Sequence, residues 1–217
     1  MNNLPISTKR NKLRRVKEKS SCGSKGRPRS FDAECALDRA LKVFLKKGYE
    51  GASLTDLTKA MGINRPSLYA AFGDKRSLFH KSLERYSEGP ARYLREALQE
   101  ETSRKVAEVL LLGAAAFQTR PGNPPGCLGV NGALACGEDA QQVRDELISW
   151  RSHGEDLITQ RLRRAKRSGD LPSSANPADL ARFLTSVIYG MSVRAASGAS
   201  RGELMRIAKT ALQAWPT

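Results

Sequence analysis

The stretch Gly51–Lys75, GASLTDLTKAMGINRPSLYAAFGDK, constrains this chain more than any other, because it reads as two short helices fixed against each other by a tight turn. Ser53 stands where an N-cap should, and Asp56 three residues on completes the Ser-x-x-acid pattern of a capping box. Leu54, Leu57 and Met61 mark one helical face at steps of three and four. Gly62 supplies the left-handed residue that ends this helix, and Ile63 the apolar residue that packs back on it. Asn64 caps a second helix, whose early Pro66 lacks an N–H that would have gone unbonded anyway. Leu68 and Phe72 share its inner face. Pro66, Ser67 and Ala70 point the opposite way, flanked by Arg65 and Tyr69. Two crossed helices with a glycine turn form a helix-turn-helix, whose second helix lies in the DNA major groove.

A helix on each side completes the unit. Asp32 caps the first, with Phe31 and Ala36 as a hydrophobic staple, Leu37, Ala40, Leu41 and Phe44 on its buried face, and Gly48 at its end. The fourth starts at Asp74 and shows Leu78, Phe79, Leu83 and Tyr86 on one side, until Ser87-Glu88-Gly89-Pro90 interrupts the pattern. The run FDAECALDRALKVFLKKGYEGASLTDLTKAMGINRPSLYAAFGDKRSLF resembles the N-terminal DNA-binding domain of the TetR family of transcriptional regulators over roughly residues 31–86. Leu68, Tyr69, Phe72 and Lys75 stand in the family's places, whereas Pro66 and Ala71 depart from the Gly or Ala and the His common there.

The resemblance implies an all-α chain divided into a basic arm (residues 1–29), a DNA-binding domain (30–86) and a helical effector-binding and dimerisation domain (87–217). At 217 residues there is length for a small domain and a larger one with its own core. Of the net charge of +15, nine units fall in the first 30 residues, which hold ten Lys/Arg and one Glu. Such a segment is too charged to bury a core. It reads either as a DNA-engaging arm, with Arg27 and Arg29 following the backbone, or as a solvated tail. With no apolar h-region at the N-terminus and an apolar run, Val109–Phe117, too short to span a bilayer, the expected location is the cytoplasm, beside the nucleoid. Four scattered cysteines and two histidines make neither a disulfide framework nor a metal pattern, so reduced thiols, no metal and no cofactor are expected.

Beyond Pro90 every segment reads as helix. Val106, Val109, Leu110, Gly113 and Phe117 line a central one. A long amphipathic helix from about 139 to 168 turns Val143, Leu147, Trp150, Gly154, Leu157, Ile158 and Leu162 inward. Asn176-Pro177 and the capping box Ser200-x-x-Glu203 open the last two helices, which are apolar over wide arcs and rich in small residues. The same pattern fits ordinary packing within the domain and the helical pair through which TetR-like proteins form homodimers. A dimer is independently reasonable, because one short recognition helix rarely holds DNA alone and two-fold half-sites are the usual remedy.

The DNA reading assigns roles residue by residue. Pro66, Ser67 and Ala70 suit close approach and thymine methyls, and Asn64 and Arg65 suit polar base contacts, with phosphate an alternative for Arg65. Ser53 and Thr55 at a helix N-terminus suit phosphate. Tyr69 and Lys75 touch phosphate by resemblance; a solvated first-turn lysine is the plainer account of Lys75.

The C-terminal domain of the family usually encloses an effector pocket, for which Leu110, Ala114, Phe117, Trp150, Leu157 and Tyr189 are candidate walls; core packing explains each of them as well. Cys127 follows Pro-Pro-Gly at a helix start, where the dipole lowers a thiol's pKa, and Cys136 lies nine residues on. The pair reads either as a redox or electrophile sensor or as packing cysteines. No phosphate-binding Gly loop, metal cluster or Ser/His/Asp set suggests an enzyme. The expected function is a dimeric repressor on a palindromic operator in double-stranded DNA, released by a small-molecule effector or by cysteine modification. Alternatives are a TetR-like activator, since the sign of regulation depends on operator position, and a non-specific basic DNA binder.

Overall fold

A computed structural model describes residues 31–89, 91–132, 137 and 140–216. Helices follow one another throughout, with no strand among the described residues. α1 (Ala33–Gly51) begins at Asp32, whose carboxylate accepts from the Cys35 amide, and leaves helical geometry at Gly48, where φ is +70°. α2 (Leu54–Met61) carries the full capping box of Ser53 and Asp56 and ends at a left-handed Gly62. α3 (Arg65–Phe72) is capped by Asn64 and α4 (Lys75–Glu88) by Asp74. α5 (Tyr93–Leu98), α6 (Ser103–Gln118), the single turn α7 (Leu128–Asn131), the long α8 (Gln141–Arg167), α9 (Pro177–Ala196) and α10 (Arg201–Gln213) complete the chain.

Two apolar clusters hold these helices. The first joins Leu37, Leu41 and Phe44 of α1 to Leu57, Leu68, Leu78, Phe79 and Tyr86 of α2, α3 and α4. It does not stop at residue 87. Cys127, Leu128 and Val130 around α7, and Val143 and Leu147 of α8, are buried in the same cluster. The second packs Val106, Leu110 and Leu111 of α6 against Leu162, Leu184, Met191, Leu204 and Trp215. Arg161 is buried yet satisfied, its guanidinium donating to the carbonyls of Glu100 and Glu101 in the turn before α6. Gln118, also buried, donates its amide to the Ile188 carbonyl and ties the end of α6 to α9.

Ion pairs and hydrogen bonds at the surface fix α4 on both sides. Arg85 forks onto Asp38 at 2.9 Å and Glu34 at 2.6 Å of α1, while His80 and Arg76 reach Glu146 and Gln142 of α8. No described helix is long and apolar enough to cross a membrane. Cys35 is disulfide-bonded, which corrects the expectation of reduced thiols throughout; its partner lies outside the described residues.

Candidate nucleic-acid interface and ligand cavity

The local signals of the sequence fold as their chemistry dictates. The Ser53 hydroxyl accepts the Asp56 amide at 3.0 Å and donates to the Asp56 carboxylate at 2.7 Å. The Lys47 ammonium stands 2.7 Å from that carboxylate, and this hydrogen bond, followed by those from Ser53, holds the Asp56 pKa at about 2. Ser53 therefore spends its only side-chain proton on Asp56, and an acidic group already sits at the start of α2. Of the two residues expected to meet phosphate there, Thr55 alone keeps a hydroxyl proton free: its oxygen accepts from Arg65 at 3.3 Å.

On α3 the inward pair Leu68 and Phe72 is buried, so the opposite face is fixed outward. Asn64, Arg65, Pro66, Tyr69 and Ala70 are exposed and Ser67 is half-buried. Asn64 accepts the Ser67 amide at 2.9 Å through Oδ1, which leaves its NH2 group to donate outward. Lys75 is partly withdrawn from the surface. Its ammonium lies 4.5 Å over the Tyr49 ring and 3.5 Å from the Glu50 carbonyl, and burial lowers its pKa. Arg27 and Arg29 lie outside the described residues.

A cavity of about 600 Å³ opens between α4, α5, α6, α8 and α9. Of the candidate wall residues, Leu110, Trp150, Leu157 and Tyr189 line it. Ala114 and Phe117 do not. Ala114 is fully buried in the second cluster, and Phe117 meets Tyr86 edge-on and Tyr93 at a tilt, with ring centroids 5.6 and 6.0 Å away. The burial of Val106, Ala107, Leu110, Leu111, Ala114 and Ala115 sets the roll of α6, and that rotation is decided by its neighbours rather than by its own spacing. Leu83, Ala91, Tyr93, Leu94, Gly154 and Ile188 are among its other lining residues, with the polar side chains of His80, Glu84, Glu146 and His153. Leu83 belongs to the first apolar cluster and also lines the cavity, so α4 serves both the helix-turn-helix and the cavity.

Cys127 lines this cavity but contradicts the expectation of an activated thiol. It is 3% exposed, and burial pushes its pKa up despite a hydrogen bond from the Tyr86 hydroxyl at 3.2 Å. A single turn of helix offers too little dipole to offset desolvation. Burial likewise raises Tyr93 and Tyr189, the latter to about 12, so both hydroxyls are neutral donors at neutral pH. Cys136 lies outside the described residues. No group of three or more metal-ligating side chains occurs among the described residues.

Residues 36–81 match the family described as bacterial regulatory proteins, tetR family, and residues 104–211 match the tetracyclin repressor-like C-terminal domain. The chain belongs to the TetR family. It is 37% identical over 195 residues to the HTH-type transcriptional repressor ComR of Escherichia coli K12, covering 89% of this chain and 93% of ComR. It is 32% identical to the HTH-type transcriptional repressor BdcR of the same organism over 88% of this chain and 93% of that one. Among solved structures, a cysteine-substituted form of the TetR family transcriptional regulator CifR, complexed with 26-base-pair double-stranded operator DNA, superposes with a TM-score of 0.83 at 41% identity, covering 88% of this chain and all of CifR. This TetR family chain is a helix-turn-helix transcriptional regulator, and the structural match to CifR spans 88% of it.

Proposed function

We propose that the chain is a dimeric repressor that reads a palindromic operator through α3 and leaves it when a small, largely apolar molecule fills the cavity. The observation that carries this reading is α4, which starts directly after α3 and forms one wall of the cavity with Leu83 and Ser87. CifR is known bound to operator DNA and ComR and BdcR are repressors, which supports the same partner and sign here.

In this reading Asn64, Arg65, Pro66, Ser67 and Ala70 face bases, and Thr55, Tyr69 and Lys75 face phosphates. Residues 30–86 are the DNA-binding part, and 87–217 the effector-binding and dimerising part. Their shared apolar cluster lets one report on the other. The dimer forms through α9 and α10. Val193 is 51% exposed, Gly190 has no neighbour that an added Cβ would meet, and Phe183, Val187 and Ile207 border a surface groove between the two helices. The cavity's size suits a drug-sized ligand with one or two acceptors for the Tyr93 and Tyr189 hydroxyls. We assign the chain no catalytic role, and place it in the cytoplasm with its operator.

Selection of genomic fragments by the purified protein, at physiological salt with bulk competitor DNA, tests the reading. Recovery of a shared palindrome is expected. Fragments with no common sequence would replace it with charge-driven, non-specific binding.

A further inference from the structure

The cavity reaches the helix-turn-helix by a second path besides α4. α7 is wedged between them. On its cavity side, Gly129 packs so closely on Trp150 that an added Cβ would stand 2.4 Å from the indole Cζ3, and its carbonyl accepts from Arg151. Its other end meets the last turn of α1. There the Gly132 carbonyl accepts the Tyr49 amide at 2.9 Å, and a Cβ on Gly48 would stand 3.1 Å from the Asn131 carbonyl. Five residues beyond Gly132, the Gly137 amide donates to the Glu50 carboxylate at 2.8 Å, a second tie of the chain after α7 to the same turn. On the opposite side of that turn the Lys75 ammonium lies over Tyr49, and Ala52, fully buried, leads straight into the Ser53 cap of α2.

We propose that α7 is a positioning strut that passes displacement of Trp150 by a cavity ligand to Tyr49 and Glu50, and so moves the start of α2 and Lys75. The proposal rests on the reading that cavity occupancy releases DNA. A four-residue turn with no spare volume moves as a unit, because packed interiors shift between discrete arrangements rather than deform. Gly132, which caps it, has little to spare: a Cβ would stand 3.1 Å from Leu147 Cδ1 and 3.4 Å from Phe79 Cζ. Gly48 breaks the helical geometry of α1, which lets the turn at 49–51 move without carrying the whole helix.

Gly154→Leu serves as the probe in place of a ligand. Residue 154 lines the cavity, and a Cβ there makes only ordinary contact, 3.8 Å from Leu94. Two readouts are taken on the full chain: amide hydrogen exchange at Tyr49, and affinity for a selected operator, with and without Glu50→Ala or Glu50→Gln. The strut predicts at least tenfold faster exchange at Tyr49 with amides of α10 unchanged, and at least tenfold weaker operator binding. In the Glu50→Ala background that operator loss shrinks at least threefold; Glu50→Gln, which keeps an acceptor oxygen, restores it. Unchanged Tyr49 exchange, or an undiminished loss in Glu50→Ala, overturns the strut. Faster Tyr49 exchange with unaltered operator affinity supports the mechanical link and overturns the release reading instead. If Gly154→Leu does not fold, Trp150→Phe, which loosens the contact with Gly129, must accelerate Tyr49 exchange in the same way.

Discussion

Arg65→Ala separates base reading from backbone binding at one side chain. Arg65 opens α3 on its exposed face, and its guanidinium donates to the Thr55 hydroxyl at 3.3 Å. Leu68 and Phe72, which hold α3 in place, are untouched by its removal, so stability should change by no more than ~0.5 kcal/mol. A bidentate guanine contact contributes about 1–3 kcal/mol of discrimination. A dimer carries it twice, which gives about 2–6 kcal/mol, or roughly 30-fold to 20,000-fold in affinity for the operator. Non-specific affinity should barely move, and the dependence of log K on log salt should keep its slope, because no phosphate contact is lost. Fluorescence anisotropy on operator and scrambled duplexes across a salt series measures all three quantities. Equal losses on both duplexes, with a slope shallower by about 2, would refute base reading and make Arg65 a phosphate contact.

Three further predictions follow from the packing. Phe44→Ala removes a fully buried ring that meets Phe79 edge-on at 5.0 Å, and should cost about 3–5 kcal/mol in denaturant unfolding. Asp56 has a folded pKa of about 2, below its ordinary 3.8. Its contribution to stability is therefore complete above pH 3.8 and lost as pH falls toward 2; Asp56→Asn should flatten that part of the pH–stability curve. Val193→Glu places a charge on the exposed face of α9 and should yield monomers in sedimentation at concentrations where the parent chain is dimeric.

What was legible in the sequence was local. Ser53 with Asp56, Asn64, Asp74, Asn176 before Pro177 and Ser200 with Glu203 all cap helices as read, because a cap bonds within three residues and needs no partner from elsewhere. The family was legible for the same reason, since its signature lies in one continuous stretch. The cavity wall was legible only in part. Trp150, Gly154 and Leu157 repeat at helical spacing on α8 and are half-buried because they face open space, but spacing alone does not separate such a stripe from core. Ala114 and Phe117 failed as wall residues because neighbouring helices set the roll of α6. Cys127 failed as an activated thiol because burial among helices distant in sequence raises its pKa more than the Tyr86 hydrogen bond lowers it. Lys75 came out engaged with Tyr49 and Glu50, a contact no local pattern announces.

Footprinting of the full chain on a selected operator, with the number of bound chains counted in the same complex, tests the central claim most directly. Two chains bound, each protecting one half-site in successive major-groove turns about 34–36 Å apart, is the predicted result. Protection that spreads without a two-fold pattern, or that bulk DNA removes as readily as operator, would contradict it.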